Sequence, residues 1–483
     1  MVMGVEKILH PTKLENLKMS RQEKTKLADD LSAQEKTLSE DFDYFTLPSP
    51  CYVLENHKLE SNLEILDNIQ KQSGAKILLA LKGYAFWRKF DKVREVLAGS
   101  SASGIYEATL GFEEIGGRES SKEVCVFSPA YKPSEINALL SIATHIIFNS
   151  FAQWQKYKPA IESKNTQLAK LGLSPISVGL RLNPLFSEVE PEIYNPCAKY
   201  SRLGITPSQF EKGLKDLAKS SSNKECGTYL DGIEGLHFHT HCEQGADALA
   251  RTLEHINMHF SSALKQMKWI NLGGGHHITK KGYDTDLLIS LIKDIKSKYD
   301  NIEVFLEPGE AVGWESGFLL GEVVDIVENE KKIAILDVSA SAHMPDCLEM
   351  PYRPSVIKIL RNQNHTSNNS DKKVLCEADK GECDSSTSKS GGKYAYRFGG
   401  PTCLAGDIIG DFSFDTPLEV GDRVAFLDML HYTIVKNTTF NGVPLPSLGI
   451  IETSKSSKSS ESGKERKFRL LKSFGYNDYK ERN

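Results

Sequence analysis

The chain has 483 residues, of which 40% are hydrophobic and 25% are charged, and its formal net charge is −5. This composition is that of an ordinary globular protein, and the length exceeds that of most single cores, so we expect two domains. The acidic balance argues against a nucleic-acid-binding surface and suits a cationic substrate. No stretch reaches the roughly 18 consecutive apolar residues of a membrane helix, which argues against a membrane protein.

The cysteines and the N-terminus favour the cytoplasm. Nine cysteines are scattered along the chain without a CxxC pair. Such usage is typical of reduced thiols in an intracellular protein rather than of a disulfide framework. The polar N-terminus is unlike a secretory signal.

The chain begins with a polar segment and a first strand. Residues 1–44 are rich in lysine and glutamate, and we interpret them as an N-terminal extension. The strand-like CYVLE at 51–55 follows, and we assign residues 45–56 to a β domain whose other strands come much later in the sequence.

Residues 57–310 alternate between strand-like and helix-like segments. KLESNLEILDNIQKQ at 58–72 has helical spacing. The strand-like runs are KILLAL (76–81), a weaker run near 96–102, EVCVFS (123–128), HIIFNS (145–150), SVGLRLN (177–183), IEGLHFHT (233–240), WINLGG (269–274) and VFLEPG (304–309). About eight β/α units over roughly 250 residues predict a TIM (β/α)8 barrel. A doubly wound sheet is the alternative, because one sequence does not reveal strand order.

After residue 310 the helical spacers disappear. Residues 311–450 contain strand-like runs separated by turns, which predict a second, mainly antiparallel β domain. Two polar segments rich in serine and lysine are predicted to be disordered, namely an insertion at 361–393 and the stretch at 453–467, which lies in a polar C-terminal tail at 451–483.

Five predicted barrel strands end in a polar feature, and functional side chains of β/α barrels lie at those ends. The features are Lys82, Arg181, the segment HFHTHCE at 237–243, the triplet Gly273–Gly275, and Glu307 before Pro308-Gly309. Each has an ordinary explanation on its own. Lys82 could be a solvated rim residue, the glycines only a tight turn, and Glu307 a satisfied buried acid. The five together favour a site.

Three histidines in the segment HFHTHCE allow two interpretations. His237, His239 and His241 alternate along a strand and therefore share one face. They could fill the inner layer of the barrel, or they could bind zinc in a metal-dependent hydrolase.

One cofactor would use all five features. Pyridoxal 5′-phosphate needs a lysine amine, an anion cradle for its phosphate and a carboxylate for its ring nitrogen. The glycine triplet can supply backbone N–H groups to a phosphate, although it lacks the P-loop and GxGxxG patterns.

The motifs resemble those of a known family. ALKGYAFW, GLHFHTHCE, WINLGGGHHIT, LEPGEAVGW, LDVSASAHMPDCLEMPYRP and YRFGGPTCLAGDIIGDF look like carboxynorspermidine (carboxyspermidine) decarboxylase, one of the alanine-racemase-fold (fold type III) pyridoxal-phosphate decarboxylases. The resemblance runs from about residue 46 to 450 without the insertion.

The resemblance implies roles for residues at matching positions. Lys82 would form the covalent bond to the cofactor, and His239 would stack on its ring. Glu307 would pair with the ring nitrogen, and Arg181 would lie near the cofactor. The phosphate would be held by Gly273, Gly274 and Gly275, with help from Tyr432. Cys403 in GPTC would act across a homodimer interface and protonate the substrate carbon after CO2 leaves. Candidate substrate ligands are Glu243, Asp337, His343, Asp346, Glu349 and Asp407; no metal is expected.

One position departs from the wider superfamily. Ornithine decarboxylase-like enzymes read EPGR, with the arginine touching the phosphate, whereas this chain reads EPGE with Glu310. The EPGE form is that of the narrower subgroup, and it leaves the role of Glu310 open.

The expected function is pyridoxal-phosphate-dependent decarboxylation of carboxynorspermidine or carboxyspermidine to norspermidine or spermidine. Three alternatives stay open: another specificity on the same scaffold, a zinc-dependent barrel hydrolase, and a non-catalytic regulator with the decarboxylase fold.

Overall fold

Short apolar strands and the helices between them build a closed barrel from the middle of the chain. The structure, a computed structural model, describes residues 38, 42–190, 192–220, 230–350, 352–360, 375–377, 393–455 and 464–482. The first strand, β1, is Cys51–Glu55, and the barrel strands β2 to β9 are Lys76–Ala80, Gly99–Ala102, Glu123–Phe127, His145–Phe148, Ser177–Leu182, Gly235–Phe238, Trp269–Asn271 and Glu303–Leu306. All neighbours are parallel, and β9 pairs with β2 to close the ring. The predicted TIM barrel is confirmed over the doubly wound alternative.

Helices cover the outside of the barrel. Helices α1 to α8 are Asn56–Ser73, Phe90–Val96, Ile105–Glu114, Pro133–Ile142, Phe151–Lys170, Pro207–Ser220, Ala246–Leu264 and Thr285–Lys298. In α1 the apolar side chains of Leu59, Leu63 and Leu66 recur at helical spacing and are buried, and the helix ends at Gly74 with a left-handed φ of 69°. Among the described residues, no helix combines the length and hydropathy needed to span a bilayer.

Large and small residues fill the N-terminal half of the barrel interior. Leu78, Cys125, Ile147, Trp269 and Phe305 form one buried cluster. The Trp269 indole occupies the space opposite two glycines of β6 and β7, where an added Cβ would collide with it. This apolar cluster fills the interior, and in β/α barrels functional side chains lie at the C-terminal ends of the strands.

The β domain gathers strands from both ends of the chain. Strands β10 to β18 are Gly317–Asn329, Lys331–Leu336, Val356–Ile359, Leu375–Glu377, Tyr394–Gly399, Ile408–Phe414, Arg423–Leu427, Ser447–Lys455 and Lys464–Lys472. Strand β1 joins them, antiparallel to β10 and parallel to β17. The β11–β14 pair is also parallel and the remaining pairs are antiparallel. The domain is therefore mixed and mostly antiparallel, as expected.

Short helical segments connect the strands. The α-helical ones, α9 to α12, are Glu310–Gly313, Ala340–His343, Asp346–Glu349 and Tyr476–Lys480. The 3-10 turns are Tyr44–Thr46, Trp87–Lys89, Arg118–Ser120, Glu192–Tyr194, Thr433–Lys436 and Phe440–Gly442.

The three polar segments of the sequence differ in how much of each the structure describes. Most of the 1–44 extension and most of the 361–393 insertion lie outside the described residues, although 375–377 forms β13 against β12. Within the polar tail, both ends of the stretch predicted to be disordered at 453–467 belong to strands, because β17 and β18 pair antiparallel there. The polar composition hid this hairpin, whose register is fixed by the pairing of β17 with β1 and by the buried Ile450 and Ile451.

Candidate active site

The turn after β2 places Lys82 at the open end of the barrel. Ala80 N–H donates to Pro308 O at 3.0 Å, and this bond brings the turns after β2 and β9 together. A Cβ on Gly83 would lie 2.9 Å from Gly309 Cα, so a larger residue would force the two turns apart. Lys82 Nζ lies 3.3 Å from His239 Nε2.

The environment of Lys82 favours its neutral amine. The side chain is accessible to solvent, yet the surrounding protein removes much of the water from the amine. This desolvation, and then the positive charge of Arg181, lower the pKa of Lys82. A neutral lysine amine is the nucleophilic form.

The position of the His239 ring proton follows from its partners. Nδ1 accepts a hydrogen bond from Gly274 N–H at 3.0 Å. Desolvation and the charge of Lys82 hold the pKa of His239 well below its usual value, so the ring is neutral. A neutral imidazole that accepts at Nδ1 carries its proton at Nε2, the atom that faces Lys82.

Glu307 is a buried carboxylate that stays ionised. Asn271 Nδ2 donates to Oε1 at 2.7 Å, and His237 Nε2 lies 3.3 Å from Oε2. Desolvation alone would raise the pKa of Glu307, but the charge and hydrogen bond of His237 and the Asn271 amide lower it to about 2. Each carboxylate oxygen can accept more than one hydrogen bond, so Glu307 can also receive a protonated ring nitrogen.

Arg181 adds a buried positive charge beside these groups. Its guanidinium lies 4.4 Å from the centre of the Phe127 ring, and Nη2 donates to His239 O at 3.3 Å. Desolvation lowers the pKa of Arg181 to about 10, against the opposing effect of Glu307. Its Nε is buried with no hydrogen-bond partner among the described residues.

The glycine triplet lies between the strand ends. An added Cβ on Gly273, Gly274 or Gly275 would collide with the backbone carbonyl oxygen of Phe238, Glu307 or His241, respectively. Gly273 N–H donates to Asn271 Oδ1 at 2.9 Å, and Gly274 N–H is taken by His239. Within the described part of the chain, Gly275 N–H has no recorded acceptor. This N–H is thus the one in the triplet that is available to an anion.

The β domain reaches the lysine turn through Tyr432. Tyr432 N–H donates to Gly83 O at 2.7 Å, and its φ of 43° is left-handed. Desolvation, and then the charge of Glu310, raise the pKa of the Tyr432 phenol, which therefore stays protonated and can donate a hydrogen bond. The structure brings this predicted phosphate ligand to the residue next to Lys82.

A charged cluster lies beside Tyr432 and includes Glu310. His431 Nε2 pairs with Asp428 Oδ1 at 3.0 Å, and His431 Nδ1 lies 3.6 Å from Glu310 Oε1. His277 Nε2 lies 3.8 Å from Glu243 Oε2. Desolvation would lower the pKa of His431, but Asp428 and then Glu310 raise it to about 9, so the ring is a cation at neutral pH.

The same cluster includes three groups with the spacing of metal ligands. Atoms of Glu243, His277 and Glu310 lie within 4.8 Å of one another. Protonated His431 already lies beside Glu310, and its positive charge opposes the binding of a divalent cation there. The group does not include the histidines on which the hydrolase alternative rests.

Those three histidines separate in the structure. His237 is bound to Glu307, His239 to Lys82 and Gly274, and His241 lies with its ring centre 4.7 Å from that of His276. Strand β7 ends at Phe238, so the alternation that placed all three on one face does not continue to His239 and His241. Their different partners remove the geometric basis for a shared zinc site.

Two predicted substrate ligands, Asp346 and Glu349, are the first and last residues of α11. Asp346 and Glu349 both form ion pairs with Lys436, the latter at 3.1 Å. Asp346 contributes to the raised pKa of the Tyr432 phenol, so its charge acts on the site.

Two other predicted ligands are used inside the β domain. Asp337 Oδ1 accepts from Glu322 N–H at 2.7 Å. His343 is fully buried: its Nδ1 accepts from Ser339 N–H at 3.2 Å and its Nε2 lies 3.0 Å from Pro444 O. Desolvation lowers the pKa of His343 to about 4, so it is neutral. Through these hydrogen bonds Asp337 and His343 both hold backbone segments of the β domain in place.

Cys403 and Asp407 belong to one exposed loop of the β domain. Cys403 is exposed, and its N–H donates to Asn441 Oδ1 at 2.8 Å. Asp407 is buried and accepts hydrogen bonds from Thr402 and Ser339. No contact recorded for either residue in the described chain involves Lys82.

Sequence reasoning missed Asn271 and His431. Asn271 lies two residues before Gly273 on a strand, so its position on the inner face could have been found from the period of two. His431 gave no such signal, because its partner Glu310 is distant in the sequence.

Comparisons with known proteins agree with this geometry. A family model described as the pyridoxal-dependent decarboxylase C-terminal sheet domain matches residues 51–429. The carboxynorspermidine/carboxyspermidine decarboxylase of Campylobacter jejuni is 42% identical over 440 residues, which cover 91% of this chain and 100% of that protein. The carboxyaminopropylagmatine decarboxylase of Synechocystis is 40% identical over 438 residues, which cover 90% and 96% of the two chains.

A solved structure extends the agreement to three dimensions. The crystal structure of carboxynorspermidine decarboxylase from Campylobacter jejuni, complexed with norspermidine, superposes with a TM-score of 0.69 at 41% identity. The match covers 90% of this chain and 100% of that one. The residues described above also fit pyridoxal phosphate, since they offer a desolvated amine, an ionised buried carboxylate and an unpaired N–H at the glycine triplet. The chain therefore belongs to the carboxynorspermidine/carboxyspermidine decarboxylase family of the fold type III pyridoxal-dependent decarboxylases.

Proposed function

We propose that this enzyme decarboxylates carboxynorspermidine and carboxyspermidine, giving norspermidine and spermidine, with pyridoxal phosphate held at Lys82. The observation that carries the proposal is the convergence of Lys82, His239 and Glu307 at the open end of the barrel. These three residues come together in a chain that aligns with a carboxynorspermidine/carboxyspermidine decarboxylase along that protein's whole length.

The site residues divide the work of holding the cofactor. Lys82 would bond it through the desolvated amine, and the neutral His239 ring beside Lys82 would stack on it. Glu307 holds a proton on the ring nitrogen, because a carboxylate with a pKa of about 2 does not compete for that proton at neutral pH. Gly275 N–H and the Tyr432 phenol would donate to the phosphate, because the N–H groups of Gly273 and Gly274 are already bonded within the protein.

The chemistry then depends on where charge and protons are held. Bound pyridoxal phosphate supplies an electron sink for the carbanion left when CO2 departs. Glu307 stabilises the positive ring nitrogen that draws those electrons. The desolvated surroundings of Lys82 and the charge of Arg181 lower the pKa of its amine and so favour the nucleophilic, neutral form.

Acidic residues near the site suit the cationic tail of the substrate. The charges of Glu243 and Asp346 both act on the Tyr432 phenol and help to raise its pKa. Each desolvated ammonium group of a polyamine needs an acceptor, which such carboxylates can supply.

Proton return is proposed to need a second copy of the chain. Cys403 lies on an exposed loop and has no recorded contact with the barrel-mouth residues in the described structure. In a homodimer that loop would enter the partner's site, and its thiol would protonate the substrate carbon.

A second substrate is favoured by one comparison. The Synechocystis relative named a carboxyaminopropylagmatine decarboxylase is 40% identical to this chain, close to the value for the Campylobacter relative. Its substrate would present a guanidinium in place of a terminal ammonium. A guanidinium binds carboxylates through two parallel hydrogen bonds. The spacing of the acidic groups would therefore decide whether the site prefers a guanidinium or a terminal ammonium.

The test combines a substrate panel with chemical trapping. The purified enzyme is assayed for CO2 release from carboxynorspermidine, carboxyspermidine, carboxyaminopropylagmatine, diaminopimelate and ornithine. In parallel, borohydride reduction and peptide mapping locate the cofactor, with Lys82→Ala as the negative variant and Lys92→Ala, on the barrel surface, as the matched control. We expect a pyridoxyl adduct on Lys82 and highest kcat/KM for a carboxy-triamine; turnover of diaminopimelate alone, or no adduct, would refute the proposal.

A further inference from the structure

The carboxylate of Asp407 is buried at the centre of the loop that carries Cys403. The residue is 3% exposed. Its Oδ2 accepts from Thr402 Oγ1 at 2.7 Å and from Thr402 N–H at 3.3 Å. The backbone closes the same turn, because Gly400 N–H donates to Asp407 O at 2.8 Å and Asp407 N–H donates to Leu404 O at 2.9 Å. Cys403 therefore lies between two residues that Asp407 holds.

The same carboxylate also binds the segment that begins α10. Ser339 Oγ lies 3.0 Å from Oδ1 and 2.9 Å from Oδ2 of Asp407, and Ser341 N–H donates to Oδ1 at 3.2 Å. Ser339 Oγ in turn accepts from Ala342 N–H at 3.0 Å and caps the helix. Helix α10 leads directly to α11, which carries Asp346. One carboxylate thus joins the Cys403 loop to the segment that bears a proposed substrate ligand.

These contacts leave little room for Asp407 to bind substrate directly. An ionised carboxylate offers about four acceptor positions. Four donor groups already occupy Asp407, namely Ser339 Oγ, Ser341 N–H, Thr402 N–H and Thr402 Oγ1. A substrate ammonium would have to displace a buried hydrogen bond, at the cost of an unsatisfied donor.

We propose that Asp407 is a positioning residue that fixes the Cys403 thiol for proton delivery in the partner's active site. This inference rests on the proposed function. In the step, the S–H bond of Cys403 breaks, the proton bonds to the carbon that lost CO2, and the thiolate regains a proton from solvent. The loop must present Sγ at a defined place, since a displacement of about 1 Å in a reacting group can cost 10²-fold in rate.

The decisive measurement is the number of CO2 molecules released per triamine formed by the holoenzyme. A turnover that ends with proper protonation of the substrate carbon gives a ratio of one, and protonation elsewhere releases CO2 without triamine. For Asp407→Asn, whose amide nitrogen would face N–H and O–H donors, we expect kcat to fall about 10- to 100-fold, KM to stay within about twofold and the ratio to exceed one.

Further variants separate positioning from a loss of folding. Thr402→Val removes one donor and keeps the shape of the side chain, and it should raise the ratio as well; Thr402→Ser restores the hydroxyl and should return the ratio to one. Asp411→Asn is the matched control, because Asp411 lies in the same β domain and pairs with Arg397 and Lys331 instead. If Asp407→Asn does not fold, the Thr402 pair decides.

The outcomes distinguish this inference from the proposed function. A raised ratio in Cys403→Ala but not in Asp407→Asn or Thr402→Val overturns only the positioning role. A raised KM with unchanged kcat in Asp407→Asn means that Asp407 binds substrate, and this also overturns it. A ratio of one and full kcat in Cys403→Ala overturns both proposals together.

Discussion

Glu307 keeps its negative charge throughout the neutral pH range because His237 and Asn271 hold it. Its pKa of about 2 is depressed, so the charged form persists above that value and is lost only as the pH falls through it. An acid limb in the kcat profile near neutral pH must therefore come from another group.

Removing the charge of Glu307 should be costly. For Glu307→Gln we expect kcat to fall about 10²- to 10³-fold, because a neutral amide does not stabilise a positive ring nitrogen. Glu303→Gln, at the opposite end of the same strand and paired with Lys76, should leave kcat within about twofold. Equal losses in the two variants, measured as steady-state kcat with folding checked by circular dichroism, would contradict this role.

His431 gives the protein a stability that depends on pH. Its pKa is raised from 6.5 to about 9 despite desolvation, by Asp428, Glu310 and Glu243. A raised pKa stabilises the folded state fully below the unfolded value and loses this effect as the pH rises through the folded value. The shift corresponds to up to about 3 kcal/mol of unfolding free energy, lost between about pH 6.5 and 9.

This dependence can be measured by urea unfolding at pH 6 and pH 9. The wild-type midpoint should fall over this interval, and His431→Gln should lower the midpoint at pH 6 and flatten the change. His259→Gln, on the exposed face of α7, is the control and should behave as the wild type. A His431→Gln variant with the full wild-type pH dependence would show that another group is responsible.

At the scale of elements, the turns after β8 and β9 pack so closely that only glycine fits between them. An added Cβ on Gly274 would collide with Glu307 O, whereas one on Gly104, at the start of α3, meets nothing within 4 Å. Gly274→Ala should therefore lower the unfolding free energy by about 1–3 kcal/mol and weaken cofactor retention. Gly104→Ala should change it by less than about 0.5 kcal/mol. Thermal unfolding measures the stability of each variant, and dialysis against cofactor-free buffer measures its cofactor retention. Similar stability and retention in Gly274→Ala and Gly104→Ala would argue against this packing.

Local patterns in the sequence were enough to predict the strands and the residues at their ends. Lys82, the glycine triplet and Glu307 follow short apolar runs, and a barrel brings all such strand ends to one side. The fold class and the placement of these five residues could thus be inferred from spacing, whereas their individual roles were implied by the family resemblance.

Contacts between distant elements could not be inferred in this way. Nothing near Asp407 in the sequence reveals that the distant Ser339 and Ser341 donate to its carboxylate. His343 likewise has its partner, Pro444, on a remote segment. The C-terminal hairpin was missed for the same reason: its polar strands are stable only against β1.

At the scale of the whole molecule, the homodimer proposal makes a quantitative prediction. Lys82→Ala and Cys403→Ala each impair every site in their own homodimers. If the two residues of one site come from different chains, a mixed dimer contains one intact site, and random exchange of equal amounts should restore about a quarter of wild-type activity. Mixing after brief subunit dissociation, followed by an assay of triamine formation, tests this; no gain over the separate variants would place both residues of a site in one chain.

The split of the β domain between the two ends of the chain has a consequence for biosynthesis. Strand β1 leaves the ribosome long before the strands with which it pairs. Its Cys51 pairs with Leu320 of β10 and Ser447 of β17, which lie much later in the sequence. At about 5–20 residues per second, the first of these partners follows roughly 10–50 s later. During that time the buried side chains of β1 have no sheet to join, so the nascent chain offers a binding segment for chaperones until its last strands are made.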